Sequence, residues 1–155
     1  MKLYSTNGNA PLADLKKAVV KGLAEDKGLY MPCEIKKLPA AFFENIDKMS
    51  FQEIAYTVAD AFFGEDIPAE DLKAIVYDTL AFDCPIAKVE ENIYSLELFH
   101  GPTLAFKDVG ARFMARMLRY FTQGEDKGLN VLVATSGDTG SAVANGFLGV
   151  EGINV

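Results

Sequence analysis

The sequence is poor in the residues that build metal sites and disulfide frameworks. Its 155 residues include two cysteines, Cys33 and Cys84, which lie far apart and outside any metal-ligand spacing, and a single histidine, His100. Structural zinc sites take four Cys or His ligands, so we expect no metal site. Two isolated thiols are typical of a reduced cytoplasmic protein, because disulfides rarely persist in that compartment.

An excess of positive charge and long apolar runs are also missing. The formal net charge is -7 and the pI is about 4.7, whereas proteins that bind a nucleic-acid backbone need clustered Lys and Arg. The opening residues MKLYSTNGNAP are polar, and no apolar run approaches the length that spans a membrane. We therefore expect a cytoplasmic protein with no nucleic-acid partner and no membrane partner.

The apolar residues that are present, half of the chain, follow helical spacing up to about residue 85. Helices are predicted over 11–23, 40–46, 51–64 and 68–79. Ser50 and Glu53 form a capping-box pattern, Gly64 ends that helix, and Pro68 begins the next. The segment 28–39, GLYMPCEIKKLP, is predicted to be an ordered connector. Residues 1–85 are therefore predicted to be a mostly helical domain.

After residue 85 the pattern becomes that of an α/β protein. IAKVEE (86–91) and NIYSLELF (92–99) predict two strands joined by a turn at Glu91-Asn92. A helix over 104–121, a strand covered on both faces at NVLVA (130–134), a helix over 141–148 and a strand beginning at INV follow. This alternation predicts a parallel sheet with crossover helices in a domain over 86–155. Because the sequence contains only the first residues of this last predicted strand, we expect the chain to be the N-terminal part of a longer protein.

Two short stretches are candidate functional segments. HGPTLAFKDVG (100–110) places Lys107 at the start of a helix among apolar neighbours. Both burial and the positive end of a helix favour the neutral amine that a nucleophilic lysine needs, although Asp108 would oppose this if it approached the ammonium. A solvated surface lysine is an equal alternative.

The second stretch, ATSGDTGSA (134–142), lies where a strand passes into a helix. Its glycines and unpaired amides would bind a carboxylate or phosphate, and an ordinary turn with an N-cap at Ser136 or Asp138 is the alternative. On the preceding helix, Arg112, Arg116 and Arg119 form a stripe that is either solvent-facing or, at Arg112, anion-facing. His100 is expected to be a hydrogen-bonded structural residue.

HGPTLAFKD and ATSGDTGSA, together with MKLYSTNG and GLAEDKGLYMP near the N-terminus, resemble the threonine synthase group of fold-type II pyridoxal-phosphate enzymes. The resemblance spans the whole chain. It implies a helical N-terminal domain followed by the start of the cofactor-binding α/β domain. It also implies that Lys107 carries pyridoxal 5'-phosphate as a covalent aldimine in the full-length enzyme, and that its freed amine acts as general base and acid.

The reaction implied by the resemblance converts O-phospho-L-homoserine and water to L-threonine and phosphate, by β,γ-elimination and addition of water at Cβ. The same resemblance implies that the substrate carboxylate is bound by Thr135, Ser136, Gly137 and Thr139. Asp138 falls where many relatives outside this group have an asparagine bonded to the phenolic oxygen of the cofactor, and it is assigned to cofactor binding. Two anions can share that contact only if one carries a proton.

Length is the main departure from the family. Enzymes of this kind are well over twice as long, and their cofactor-phosphate loop and the hydroxyl at the pyridine nitrogen have no counterpart here. We therefore expect little or no turnover from the chain alone, and a monomeric or homodimeric full-length protein. Two other functions stay open, a phospholyase of the same fold that releases an oxo acid from O-phosphohomoserine, and a non-catalytic anion-binding domain.

Overall fold

A computed structural model of the chain describes residues 1–124 and 128–155. These residues form two compact units, Met1–Tyr77 and Asp78–Val155, and each is described here by itself. The domain boundary expected between residues 85 and 86 lies inside the second unit, and the division into domains 1–85 and 86–155 stays a prediction.

The first unit contains the predicted helices and a pair of short strands that were not predicted. Its helices are α1 (Leu15–Lys21), α2 (Ala40–Asn45), α3 (Phe51–Phe63) and α4 (Ala69–Thr79), whose last two residues belong to the second unit; a 3-10 turn at Ile46–Lys48 follows α2. β1 (Leu3–Ser5) pairs antiparallel with β2 (Tyr30–Pro32). Segment 28–39 is therefore partly strand, and the prediction of a connector over its whole length was wrong.

Local capping explains where these helices begin and end. The Glu53 carboxylate accepts a hydrogen bond from the backbone N–H of Ser50 at 2.7 Å, and the Ser50 hydroxyl accepts one from the Glu53 N–H, so the predicted capping box is confirmed. The helix predicted over 11–23 was too long, because Asp14 is the N-cap of α1 and Ala13 pairs with Leu3 as a β-bridge.

A polar network joins the turn after β1 to the loop before β2. The buried Ser5 hydroxyl donates to Asp26 Oδ1 at 2.5 Å, and the backbone N–H groups of Gly28 and Asn9 donate to the two carboxylate oxygens. These hydrogen bonds, led by that of Ser5, lower the pKa of Asp26. Because a Cβ at Gly28 would lie 2.0 Å from the Ser5 oxygen, only glycine leaves room for this arrangement.

The second unit begins with an antiparallel hairpin and continues with alternating strands and helices. The hairpin consists of β3 (Ile86–Glu90) and β4 (Ile93–Leu96), with the predicted turn at residues 91–92, where Asn92 adopts a φ of 62°. The remaining elements are α5 (Lys107–Thr122), β5 (Leu129–Asn130), α6 (Asp138–Gly146) and β6 (Ile153–Asn154). β5 and β6 are parallel and α6 connects them, so the predicted parallel crossover is confirmed.

β5 is shorter than the five-residue strand predicted over 130–134. The ladder ends with a bond from the Val131 N–H to the Asn154 carbonyl at 2.7 Å. Leu132 is 94% exposed, so the expectation of a strand covered on both faces was wrong. The pattern specified an apolar segment, and only Leu129 and Asn130 of β5 pair with β6.

Arg112 and Arg116 bind the C-terminal end of α4 within the second unit. The Arg112 guanidinium donates to the backbone carbonyls of Thr79, at 3.0 Å, and Asp78, at 2.6 Å, while Arg116 Nε pairs with the Asp78 carboxylate. Burial, and then the charge of Arg116, lower the pKa of Arg112. Only Arg119 of this stripe is exposed as predicted, and Arg112 satisfies terminal helix carbonyls and lies 3.9 Å from the Asp78 carboxylate.

Candidate functional site

The turn before α5 is built from two consecutive backbone reversals. The Leu104 N–H donates to the Gly101 carbonyl at 3.0 Å, and the Asp108 N–H donates to the Ala105 carbonyl at the same distance. Leu104 has a φ of 56°, in the left-handed region that a leucine rarely occupies. The helix therefore begins at Lys107, and the prediction of a start at Leu104 was wrong because of this reversal.

Asp108 closes the turn with both oxygens of its carboxylate. Oδ2 accepts from the backbone N–H of Thr103 at 2.9 Å, and Oδ1 accepts from the Thr103 hydroxyl at 2.6 Å. The Asp108 side chain is fully buried, and a Cβ at Gly101 would lie 2.5 Å from Oδ2. We call this pair of hydrogen bonds the Thr103–Asp108 clamp. The acid beside Lys107 is thus engaged by the turn.

Lys107 is the first residue of α5 and is half-buried. Its Nζ lies 5.6 Å from the centre of the Phe106 ring, within the range of a cation–π contact. A lysine at this end of a helix stands against the positive end of the helix dipole. The side chain therefore lies beside an aromatic ring and is not fully solvated.

A cleft of about 410 Å³ contains Lys107 and Asp138, the first residues of α5 and α6. This volume lies within the roughly 300–1,000 Å³ that ligand sites usually have. Its other lining residues come from β4 and from the segment between β4 and α5; they are Ser95, Leu96, Leu98, Phe99, Thr103, Leu104, Ala105 and Phe106. Two residues selected from distant parts of the sequence thus meet at one site.

The loop before α6 is shaped by Thr135. Its hydroxyl oxygen accepts hydrogen bonds from the N–H groups of Gly137, at 3.2 Å, and Gly140, at 2.9 Å. Gly137 has a φ of 151° and is the N-cap of α6, so the alternative with Ser136 or Asp138 at that position was wrong. The loop is a turn held by an internal hydroxyl, and two of its amides are already engaged.

Ser136, Gly137 and Thr139 are exposed and stand next to Asp138 in sequence. Among the residues lining the cleft, however, this loop contributes Asp138 alone. The structure therefore places Lys107 and Asp138 in the lining of one cleft, and it places none of the four residues assigned to the substrate carboxylate in that lining.

The apolar wall of the cleft was not predicted from the sequence. Leu96 and Phe99 belong to a strand-like run whose alternation predicted the hairpin but gave no sign of a ligand. His100 Nε2 lies 2.8 Å from Glu97 Oε2, and its ring stacks on Phe99 at 4.7 Å, so His100 is hydrogen-bonded as expected, and its structural role stays a prediction. In residues 1–124 and 128–155, no three His, Cys, Asp or Glu side chains gather as a metal site would require.

A mostly helical first unit followed by a parallel crossover is the arrangement expected from the sequence for the start of a fold-type II enzyme of this group. The structure of threonine synthase from Escherichia coli matches with a TM-score of 0.90 and 41% identity, covering 100% of this chain and 36% of that chain. The PLP-bound threonine synthase of Brucella melitensis matches with a TM-score of 0.93 and 38% identity, covering 99% and 34%. The expected fold class is thereby confirmed.

Sequence comparison leads to the same family. The family model for the threonine synthase N terminus matches residues 2–80, half of the chain. Threonine synthase of Haemophilus influenzae is 43% identical over 158 residues, which cover 100% of this chain and 36% of that protein. The chain belongs to the threonine synthase family. It spans about a third of the length of the relatives that it matches.

Proposed function

We propose that this chain is the lysine-bearing part of a threonine synthase, a pyridoxal-phosphate-dependent carbon–oxygen lyase. The whole enzyme would convert O-phospho-L-homoserine and water to L-threonine and phosphate. One observation carries the proposal: a single cleft is lined by both Lys107, whose amine lies beside an aromatic ring, and Asp138. Membership of the threonine synthase family supports it.

The cleft suits a flat heteroaromatic cofactor. Leu96, Phe99 and Phe106 give it apolar walls, and Lys107 places a primary amine beside them. Lys107 would hold pyridoxal 5'-phosphate through Nζ, and the bound cofactor would supply an electron sink for charge developed on the substrate. Asp138, at the N-terminus of α6, would contribute a carboxylate that the helix dipole stabilises. A hydrogen bond from it to the phenolic oxygen of the cofactor needs one proton between the two groups.

The lysine amine would have a second task when the substrate is bound. Lys107 Nζ would then take and return protons at the substrate carbons as general base and acid. The exposed hydroxyls of Ser136 and Thr139 would hold the substrate carboxylate, and the Gly137 N–H would join them by exchanging its hydrogen bond to Thr135 for one to the carboxylate. Thr135 would act by shaping the loop, because its hydroxyl oxygen is engaged by the amides of Gly137 and Gly140.

The chain by itself is proposed to have little or no turnover. It contributes the amine and the carboxylate loop, while it spans about a third of the length of its relatives. None of the helices in the described ranges is both long and apolar enough to cross a membrane. A cytoplasmic location, a monomeric or homodimeric full-length protein, and the absence of nucleic-acid and membrane partners stay predictions.

Borohydride reduction of the full-length protein with pyridoxal phosphate, followed by peptide mapping, tests the assignment. A label on Lys107 is expected. Lys107→Ala should abolish both the label and threonine formation, whereas Lys88→Ala, at an exposed lysine of β3, should change neither. A label on another lysine, or a Lys107→Ala variant with normal activity, would refute the proposal.

Product analysis of the same protein decides between related reactions. Threonine plus phosphate from O-phosphohomoserine supports the synthase, and an oxo acid plus phosphate identifies the phospholyase. If Lys107→Ala changes nothing while the loop still binds carboxylates, the anion-binding domain is the correct assignment.

A further inference from the structure

The residues on either side of Lys107 are tied to each other. Thr103 and Asp108 are five residues apart and share two hydrogen bonds, so the segment that carries Phe106 and Lys107 is closed into a ring. This ring contains Leu104 at a φ of 56°. A leucine stays in that region only when its surroundings hold it there, and the clamp spans the reversal in addition to the backbone hydrogen bonds that form it.

We propose that the Thr103–Asp108 clamp is a positioning device for the Lys107 amine, an inference that rests on the proposed function. The first part of this role is geometric. Fixing both ends of segment 103–108 fixes the Cα–Cβ direction of Lys107, and therefore the region of the cleft that its flexible side chain can reach. Reactions between held groups are sensitive to such placement, and a displacement of about 1 Å can cost on the order of 100-fold in rate.

The second part of this role concerns charge. A carboxylate adjacent in sequence to a working lysine would tend to hold it as an ammonium ion. In the clamp, each Asp108 oxygen accepts a hydrogen bond from Thr103, and the side chain is fully buried. Thr103 thus keeps the carboxylate occupied and directed at the turn. The position of Asp108 in the first turn of α5 also stabilises its charge there.

Gly101, the glycine of the Gly-Pro-Thr turn, contributes to the same positioning of Lys107 because it has no side chain. The nearest heavy atoms to a Cβ built at Gly101 would all be those of Asp108, the closest being Oδ2 at 2.5 Å. Any larger residue would displace the carboxylate from Thr103. The conformation of the turn, the burial of Asp108 and the start of α5 therefore depend on one another.

The experiment uses the full-length protein with pyridoxal phosphate and compares Thr103→Val, Thr103→Ser, Asp108→Asn and the Thr103→Val/Asp108→Asn double variant with the wild type. Asp83→Asn, at an exposed carboxylate of the same unit, is the control. Three quantities are measured: visible circular dichroism of the bound cofactor, the borohydride label at Lys107, and kcat and KM separately.

Thr103→Val and Asp108→Asn should each lower kcat by about 10- to 100-fold, with a much smaller change in KM, and should weaken the visible dichroism. Thr103→Ser keeps the hydroxyl donor and should stay close to the wild type, as should Asp83→Asn. The double variant should be little worse than either single variant, because both disrupt the same hydrogen bond between the Thr103 hydroxyl and the Asp108 carboxylate.

Additive losses in the double variant, or unchanged kcat and dichroism in Thr103→Val, would overturn the positioning role. Thr103→Val keeps the backbone donor and the buried carboxylate, and we expect it to fold. This variant therefore tests the proposal even if Asp108→Asn does not fold. Absence of a Lys107 label in the wild type would instead refute the proposed function, which keeps the two failures distinguishable.

Discussion

The Thr79 hydroxyl offers a direct test of how the second unit is stabilised. Thr79, the last residue of α4, is 2% exposed, and its Oγ1 has no hydrogen-bond partner among the described residues. A buried polar group without a partner costs about 1–3 kcal/mol. Valine has nearly the same shape and helix propensity, and it leaves the Thr79 carbonyl available to Arg112. Thr79→Val should therefore raise the free energy of unfolding by about 1–3 kcal/mol.

A matched control lies at the end of the next helix. Thr122, the last residue of α5, donates its hydroxyl to the Leu118 carbonyl at 2.8 Å. Thr122→Val removes a satisfied hydrogen bond and should lower the free energy of unfolding by about 0.5–1.5 kcal/mol. Urea denaturation of both variants, with unchanged m-values, gives the comparison. If Thr79→Val is as destabilising as Thr122→Val, the reasoning about the unpaired hydroxyl is refuted.

Two further perturbations test other contacts. Gly101→Ala should destabilise the protein by about 1–3 kcal/mol, because the new Cβ would overlap the Asp108 carboxylate, and it should weaken the Lys107 label; denaturation and peptide mapping measure both effects. Hydrogen bonds from Lys17 and then Lys21 lower the pKa of Glu25 to about 2. The stabilisation of the folded state by these hydrogen bonds is present above the ordinary carboxyl pKa of 4.5 and is lost as the pH falls from there towards 2. Glu25→Gln should flatten the pH dependence of stability in that window, and an unchanged slope would contradict this.

Local signals predicted the elements whose causes are local. The start of α3 follows from Ser50 and Glu53, which lie three residues apart and bond to each other. The Glu91-Asn92 turn likewise depends on adjacent residues, one of which adopts a positive φ. Such features need no knowledge of the rest of the fold, and the sequence pattern was sufficient for them.

Elements that depend on distant partners were predicted poorly. β1 and β2 pair across more than twenty residues, and nothing within Leu3–Ser5 indicates that partner. β5 pairs with β6, which follows it in the chain only after α6. At the site, Lys107 was predicted to be functional from the residues next to it in the sequence. The Arg112 contacts with the end of α4 and the apolar wall around Phe99 required the folded chain.

Because α5 packs against α6, a residue that does not line the cleft can affect the position of Lys107. A Cβ at Gly146, the last residue of α6, would lie 3.0–3.2 Å from the backbone of Ala111 and Arg112. Ala111 follows Lys107 by four residues, about 6 Å along the helix axis. A side chain at Gly146 would push on α5 close to the end that carries the amine. In a screen of random variants, Gly146 should therefore tolerate as few replacements as a residue that touches substrate. The reason is that the packing of α6 on α5 leaves no room for a side chain at this position.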